Sequence, residues 1–313
     1  MRMRRLGRTG LEVSEVGLGC NNFGARVDLE TSRAVVHAAL DAGVNFFDTA
    51  DVYGGRGGSE SILGRVLGER RKDVVLATKF GSAMEEGVER RNASRRYILQ
   101  AVEASLKRLK TDWIDLYYVH WPDKLTPLDE TLRALDDLVR SGKVHYVGCC
   151  NFAAWRVVAA EWIARELKLH RFVCAQNEFS LLERAPEKEL LPALAEYDLG
   201  LVPYFPLASG LLTGKYERDK PPPDDSRLAQ WKRLAESYAT PTNWDLIEKL
   251  EAWAGERDHS LLEFAFAWLL AHGAVASVIA GATKPEQVAA NVRAAEWRLD
   301  ADDLASLREI LDG

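Results

Sequence analysis

A chain of 313 residues, 47% hydrophobic and 28% charged, has an ordinary globular composition and enough length for a large buried core. Its formal net charge of −6 lacks the basic excess of a nucleic-acid binder, so any anionic ligand must be met by local cations. Cys20, Cys149, Cys150 and Cys174 show no CxxC spacing, which excludes a disulfide scaffold.

The N-terminal MRMRRLGRTG carries arginines with no apolar stretch behind it, unlike a secretory signal. No run approaches the roughly 18 apolar residues of a membrane span. The expectation is a cytoplasmic protein with no membrane or nucleic-acid partner. The opening RRLGRTGLEVS reads as a small hairpin turning at Arg8-Thr9-Gly10, placed to plug the bottom of a barrel.

Short β-branched or aromatic runs then alternate with helical patterns. The runs are EVGLGC (15–20), VNFFDTA (44–50), DVVLATKF (73–80), WIDLYYVH (113–120), VHYVGCC (144–150), RFVCAQN (171–177), LGLVPYF (199–205) and VASVIAG (275–281). They are apolar along most of their length, as strands buried on both faces are. Between them, Ile98, Val102, Leu106 and Leu109 share one helical face, as do Leu128, Leu132, Leu135 and Val139. Before the second helix, Thr126 is placed to cap, with Pro127 in the first turn and Asp129 favouring the N-terminus.

Eight βα repeats predict a closed (β/α)8 TIM barrel, an α/β fold spanning 1–313 as a single domain. The hairpin and extra helices after strands 7 and 8 are additions. Residues 206–258 are too long for a plain connection and contain KPPPDDS (220–226), an exposed loop by composition.

A barrel of this kind carries its site at the C-terminal ends of its strands. There stand Asp48, with Tyr53 in the loop behind it, Lys79 and His120. Any one could be punctuation after an apolar run; four proton-active groups on three neighbouring strands point to chemistry. An ammonium lowers the pKa of a phenol, a carboxylate fixes the ammonium, and a histidine beside them orients a carbonyl oxygen or shares the proton. That set suits proton transfer at a carbonyl but supplies no hydride, which a cofactor must bring.

Cys150-Asn151 and Gln176-Asn177 end strands five and six, and their amides could meet a nicotinamide carboxamide. Tyr204, followed by Phe205, ends strand seven as either a stacking platform or a core aromatic. The loop SGLLTGK (209–215), with Ser209, Gly210 and Lys215, resembles a phosphate-binding element. So does GATKPEQVAAN (281–291), where Thr283 and Lys284 precede a helix starting near Pro285. Asn22, Phe23, Trp121 and the 206–240 loop would shape a substrate pocket.

Other features carry less. GLGCNN lacks the third glycine of a dinucleotide fingerprint, and YGGRGGSE lacks the GK[ST] ending of a phosphate loop, so its glycines serve the turn after Tyr53. Cys149 and Cys150 read as reduced packing residues. His37, His145, His170, His259 and His272 show no metal-ligand spacing, and no metal is expected.

The segments FFDTADVYG, LATKF, YYVHWPD, YVGCCNF, AQNEFSLL, GLLTGKY and GATKPEQVAAN, in that order, closely resemble an aldo-keto reductase, and SGLLTGKYERDK resembles its bacterial branches. The resemblance covers nearly the whole chain. It implies the barrel and a catalytic tetrad of Asp48, Tyr53, Lys79 and His120, with Tyr53 as general acid in reduction and base in oxidation. It also implies an NADPH cleft, with NADH possible, lined by Asn151, Gln176, Tyr204, Leu207, Ser209, Gly281, Lys284, Gln287 and Asn291. Cys150, Phe205 and Ala280 stand where the family usually has serine, serine and proline. The implied substrate is a small carbonyl compound or its alcohol. The alternative is a regulatory subunit like the potassium-channel β subunits; the hairpin's start near Met1 leaves no long N-terminal regulatory segment and favours the enzyme.

Overall fold

The computed structural model describes residues 1–84, 91–223, 226–231 and 236–312. A two-stranded antiparallel hairpin, β1 (Met3–Arg5) and β2 (Glu12–Ser14), comes first. Eight parallel strands follow: β3 (Val16–Gly19), β4 (Phe46–Asp48), β5 (Val75–Phe80), β6 (Ile114–Val119), β7 (Val144–Cys150), β8 (Cys174–Gln176), β9 (Gly200–Leu201) and β10 (Val278–Gly281). Each lies within one of the eight apolar runs. β7 fills its whole run; the others are shorter than theirs, because the flanking residues belong to the connections and do not join the ladder.

The sheet order β10-β3-β4-β5-β6-β7-β8-β9 leaves β9 and β10 to close the ring. Leu201 bridges Val275, the Leu201 amide donates to the Ala274 carbonyl at 2.6 Å, and Ile279 donates to the Pro203 carbonyl at 3.1 Å. Eight parallel strands with surrounding helices therefore form the (β/α)8 barrel. Extra helices stand where expected: Pro241–Gly255 before the strand-seven helix Leu261–Ala271, and Ala301–Asp312 after Pro285–Ala294.

Strand periodicity sorts adjacent residues into two apolar compartments. Phe46, Val75, Ala77, Tyr118, Cys150 and Cys174 fill the barrel interior, while Phe47, Leu76, Tyr117 and Cys149 pack in the shell beneath the helices. All four cysteines are free and buried, and Cys149 and Cys150 lie on the two sides of one strand as their adjacency requires.

The hairpin plugs the interior from below. Leu6 is fully buried among the interior residues. Gly7 has φ 56°, and a β-carbon there would stand 2.4 Å from the Val173 carbonyl oxygen, so only glycine lets the plug seat against β8 and β9. Arg4 donates to Glu15 at 2.7 Å and to the carbonyls of Val275 and Leu270, each at 2.9 Å. Arg298 also pairs with Glu15, joining plug, first barrel strand and C-terminal region.

Two local readings change in detail. Thr126 does not cap its helix: its hydroxyl donates to Asp123 at 2.6 Å, and Leu128–Arg140 starts directly behind Pro127. In KPPPDDS, Lys220, Pro221 and Pro223 are exposed as expected, Pro222 is half-buried and Ser226 is buried; Asp224 and Asp225 lie outside the described residues.

Candidate active site

Each strand-borne member of the site stands two positions beyond an interior residue. Asp48 follows Phe46, Lys79 follows Ala77, His120 follows Tyr118, and Gln176 follows Cys174. A period of two keeps them on the inner face, so they converge at the barrel's C-terminal mouth. Neighbouring register helps, with Asp48 opposite Ala77 and Lys79 opposite Tyr118.

Lys79 is fully buried. Its ammonium donates to Asp48 Oδ1 at 2.5 Å, to the Thr49 carbonyl at 2.8 Å and to the Tyr53 hydroxyl at 3.4 Å. The other Asp48 oxygen accepts from the Gln176 amide nitrogen at 2.8 Å. Burial alone would lower the lysine's pKa, but Asp48 and the phenol beside it hold it above the ordinary value. The ammonium therefore stays charged in the interior.

Tyr53 comes from the loop behind β4. Gly54 has φ 67°, and a β-carbon there would stand 2.4 Å from the Phe23 carbonyl oxygen. The glycines thus fold the chain tightly after Tyr53 and leave the phenol against Lys79. Burial raises the Tyr53 pKa, and Lys79 acts in the opposite direction. His120 meets Tyr53 edge-on with ring centroids 5.7 Å apart. Burial, Lys79 and Arg91 hold its pKa well below the usual histidine range, so the ring is neutral. Its Nδ1 lies 3.1 Å from the Ser82 hydroxyl, and its carbonyl accepts from the Asn151 amide at 2.9 Å.

A cleft of about 950 Å³ opens over these groups. Asp48, Tyr53 and His120 line one end, together with Asn22, Trp121, Asn151, Gln176 and Tyr204. Phe205, Leu207, Ser209, Gly210, Lys215, Gly281, Thr283, Lys284, Gln287 and Asn291 also line it. Two expected members do not. Phe23 is fully buried in the shell core, because the chain turns back at Gly24 and carries its ring inward. Cys150 faces the barrel interior beneath the cleft; Asn151, with φ 61°, is the first residue of that strand end to reach it.

The amides expected to await a ligand are partly engaged. The Asn151 amide nitrogen donates to the His120 carbonyl, and its oxygen accepts from the Tyr204 hydroxyl at 2.7 Å. Gln176 has its nitrogen on Asp48, which leaves its oxygen for a ligand. Along the cleft, the Ser209 hydroxyl is buried without a hydrogen-bond partner among the described residues. Lys284 is the N-cap residue of Pro285–Ala294, a helix with no side-chain cap bond. The Gln287 amide oxygen accepts from the Thr283 amide at 2.7 Å. An orphaned hydroxyl, two lysines and an uncapped helix start fit an extended anionic ligand such as a dinucleotide.

Sequence reasoning passed over Arg26, Ser82 and Glu178, which also line the cleft, and reached Trp231 only as part of the 206–240 loop. Glu178 was legible: it continues the inner-facing series Cys174, Gln176. Arg26 and Trp231 sit in irregular segments where no period points at them.

Comparison with known proteins agrees with this geometry. The model of the Aldo/keto reductase family matches residues 15–312. The chain belongs to the aldo/keto reductase family. It is similar to the uncharacterized oxidoreductase YrpG of Bacillus subtilis, with 39% identity over 98% of this chain and 95% of that protein. It is 38% identical, over 94% of this chain and 91% of the relative, to a probable voltage-gated potassium channel subunit beta of Oryza sativa. The L-glyceraldehyde 3-phosphate reductase of Escherichia coli is 35% identical over 94% of this chain and 87% of its own length. Among the described residues, no helix is long and apolar enough to cross a membrane.

Proposed function

We propose that this aldo/keto reductase is an NADPH-dependent enzyme that reduces aldehydes or ketones to alcohols, and runs the reverse reaction, as a single barrel domain. One observation carries the reading: a buried chain, Asp48 to Lys79 to Tyr53, brings an enclosed positive charge to a phenol at the floor of the cleft beside a neutral histidine.

The family generally uses nicotinamide cofactors, and the bound nicotinamide would supply or accept the hydride. The protein's groups do the rest. The carbonyl oxygen takes the position between Tyr53 and His120, where two neutral ring systems meet edge-on. As negative charge grows on that oxygen, Tyr53 releases its proton to it. The resulting phenolate is stabilised by the Lys79 ammonium, which Asp48 and the Thr49 carbonyl hold in place. In oxidation the phenolate takes the alcohol proton. Tyr204, Asn151 and Gln176 form the nicotinamide end, while Ser209, Lys215 and Lys284 with its helix N-terminus hold the phosphates. Enclosure of the lysine keeps water from screening its charge.

Relatives named as potassium channel subunits support a second reading, a regulatory subunit. A subunit of that kind can keep Asp48, Tyr53, Lys79 and His120 as well, so the set is necessary for the enzyme and turnover is what separates the two readings. The test is NADPH oxidation with aromatic, aliphatic and sugar carbonyls, including a phosphorylated triose such as the named relative reduces. Turnover establishes the enzyme; tight cofactor binding with no turnover on any of them favours the subunit.

A further inference from the structure

Glu178 is an acid that the proposed proton transfer does not use. With Asp48 it makes up the acidic lining of the cleft among the described residues. Asp48 is engaged by Lys79 and Gln176. The Glu178 carboxylate has neither an ion pair nor a hydrogen-bond donor among the described residues.

Its place in the fold ties it to the catalytic end. Glu178 forms a parallel bridge with Tyr204. The Tyr204 hydroxyl donates to Asn151, and Asn151 donates to the carbonyl of His120. One line of bonded groups therefore connects Glu178's neighbour to the catalytic histidine. The coupling is electrostatic too: burial, then Glu178, raises the Tyr204 pKa.

We propose that Glu178 sets the relative affinity for the two redox states of the cofactor, its carboxylate favouring the oxidised, positively charged nicotinamide over the reduced, neutral one. This rests on the reading of the cleft as a nicotinamide site. The physical basis is the charge difference between the two rings. A carboxylate within several ångströms, in a site partly shielded from water, attracts the cation and is indifferent to the neutral ring. Lys215, Lys284 and Arg26 also line the cleft, but the cofactor's phosphates are common to both redox states, so any pull on them cancels in the ratio.

The carboxylate also makes that ratio depend on pH. Burial first, and then the like charge of Glu183 on the same loop, push the Glu178 pKa up to about 7. Below that value the acid is neutral and the preference for the oxidised form is lost; above it the preference is present. Asp51, which does not line the cleft, is pushed up to about 8 and titrates in the same window, but it is left in place by Glu178→Gln, so that variant separates the two acids. Three other groups of the catalytic end stay outside the window. His120 is held well below the usual histidine range, Tyr53 lies above the ordinary phenol value, and Tyr204 is raised. By reciprocity, binding the oxidised cofactor draws the Glu178 proton off.

The experiment measures dissociation constants for NADP+ and NADPH by fluorescence titration between pH 6 and pH 8.5. Wild type, Glu178→Gln and Glu178→Asp are compared, with thermal unfolding as a check on folding. In the wild type the affinity ratio should move toward NADP+ by about fivefold or more as pH rises. Glu178→Gln should make it flat, and Glu178→Asp should retain a pH response. Glu183→Gln should move the transition to lower pH, since a like charge has been removed. A wild-type ratio independent of pH, or a Glu178→Gln protein with an unchanged response, overturns the proposal while leaving the enzyme reading intact. Failure of either cofactor to bind overturns that reading and this inference together.

Discussion

Lys79 and Asp48 touch at 2.5 Å, and the lysine is wholly removed from solvent. A buried charge is tolerated only when matched, and here each partner also has another hydrogen bond: Lys79 to the Thr49 carbonyl, Asp48 to the Gln176 amide. The pair is therefore a fixed source of positive potential beneath Tyr53 rather than a net gain in stability. Its energetic signature lies in removing one partner.

Lys79→Met should leave the Asp48 carboxylate buried and uncompensated, a loss of about 3–5 kcal/mol. The double variant Asp48→Asn with Lys79→Met should recover most of that stability and none of the activity. Urea unfolding of both proteins measures the first claim, and turnover the second. A single variant as stable as wild type would mean that the pair is not held as tightly as its geometry indicates.

The same lysine controls the phenol. Burial raises the Tyr53 pKa and Lys79 opposes it, so losing the ammonium lets the pKa rise further. In the proposed mechanism alcohol oxidation needs the phenolate, so its activity should begin at higher pH in Lys79→Met. Rates from pH 6 to 11 with any accepted alcohol check this. An unshifted profile would reduce Lys79 to a structural partner of Asp48.

Tyr53→Phe should lower carbonyl reduction roughly 10²–10⁴-fold while changing cofactor affinity little, since the role proposed for the lost hydroxyl is proton transfer. Trp121 stacks on His120 with ring centroids 6.1 Å apart and lines the cleft, so tryptophan emission is a suitable binding signal. Substantial retained reduction would remove Tyr53 from its proposed role.

Asp48, Lys79, His120 and Gln176 were legible because each ends an apolar run, and the inner-facing period fixes which way each points. The barrel followed from eight such runs separated by helical periods. Phe23 and Cys150 misled for a related reason. Both adjoin residues that line the cleft, but Cys150 is on the inner face one layer below it, and the Phe23 ring is carried into the shell by a turn in an irregular loop. The engagement of Asn151 by Tyr204 and His120 joins three strand ends distant in sequence, and no local pattern encodes it.

Asp51 is another buried acid that composition could not single out. Neither of its carboxylate oxygens has a hydrogen-bond partner among the described residues. Nearby Glu60 already occupies Arg108 at 2.6 Å and the Thr78 hydroxyl at 2.6 Å. Burial, followed by repulsion from Glu60, pushes the Asp51 pKa up to about 8. An unfolded aspartate titrates near 4, so between about pH 4 and 8 the folded chain holds the extra proton, and stability falls as pH rises through that window. Asp51→Asn should remove this dependence. It should stabilise the protein at pH 8 by about 1 kcal/mol or more, because one pKa unit corresponds to about 1.4 kcal/mol, and change little near pH 4. Urea midpoints at both values test it. A destabilised Asp51→Asn at pH 8 would show that the carboxylate has a favourable partner.

Lys284 offers the test of cofactor preference. NADPH differs from NADH by a 2′-phosphate, and a chain of net charge −6 offers that anion no general attraction. Lys284 lines the cleft as N-cap residue of Pro285–Ala294, so its ammonium and the amides of the first turn can act on one phosphate. Gln287 adds an amide nitrogen, its oxygen being held by Thr283, but it is neutral where an arginine would form two charge-assisted bonds. One charge-assisted contact is worth roughly 1.5–3 kcal/mol, about 10- to 150-fold in affinity. Lys284→Ala should therefore weaken NADPH by at least about tenfold more than NADH. Added salt should narrow the wild-type difference, because it screens the lysine–phosphate attraction and leaves the shared contacts largely untouched. The measurement is a pair of dissociation constants for each protein at two salt concentrations. Equal losses for the two cofactors would mean that the lysine meets a phosphate common to both, and the preference for NADPH would lose its physical basis in this cleft.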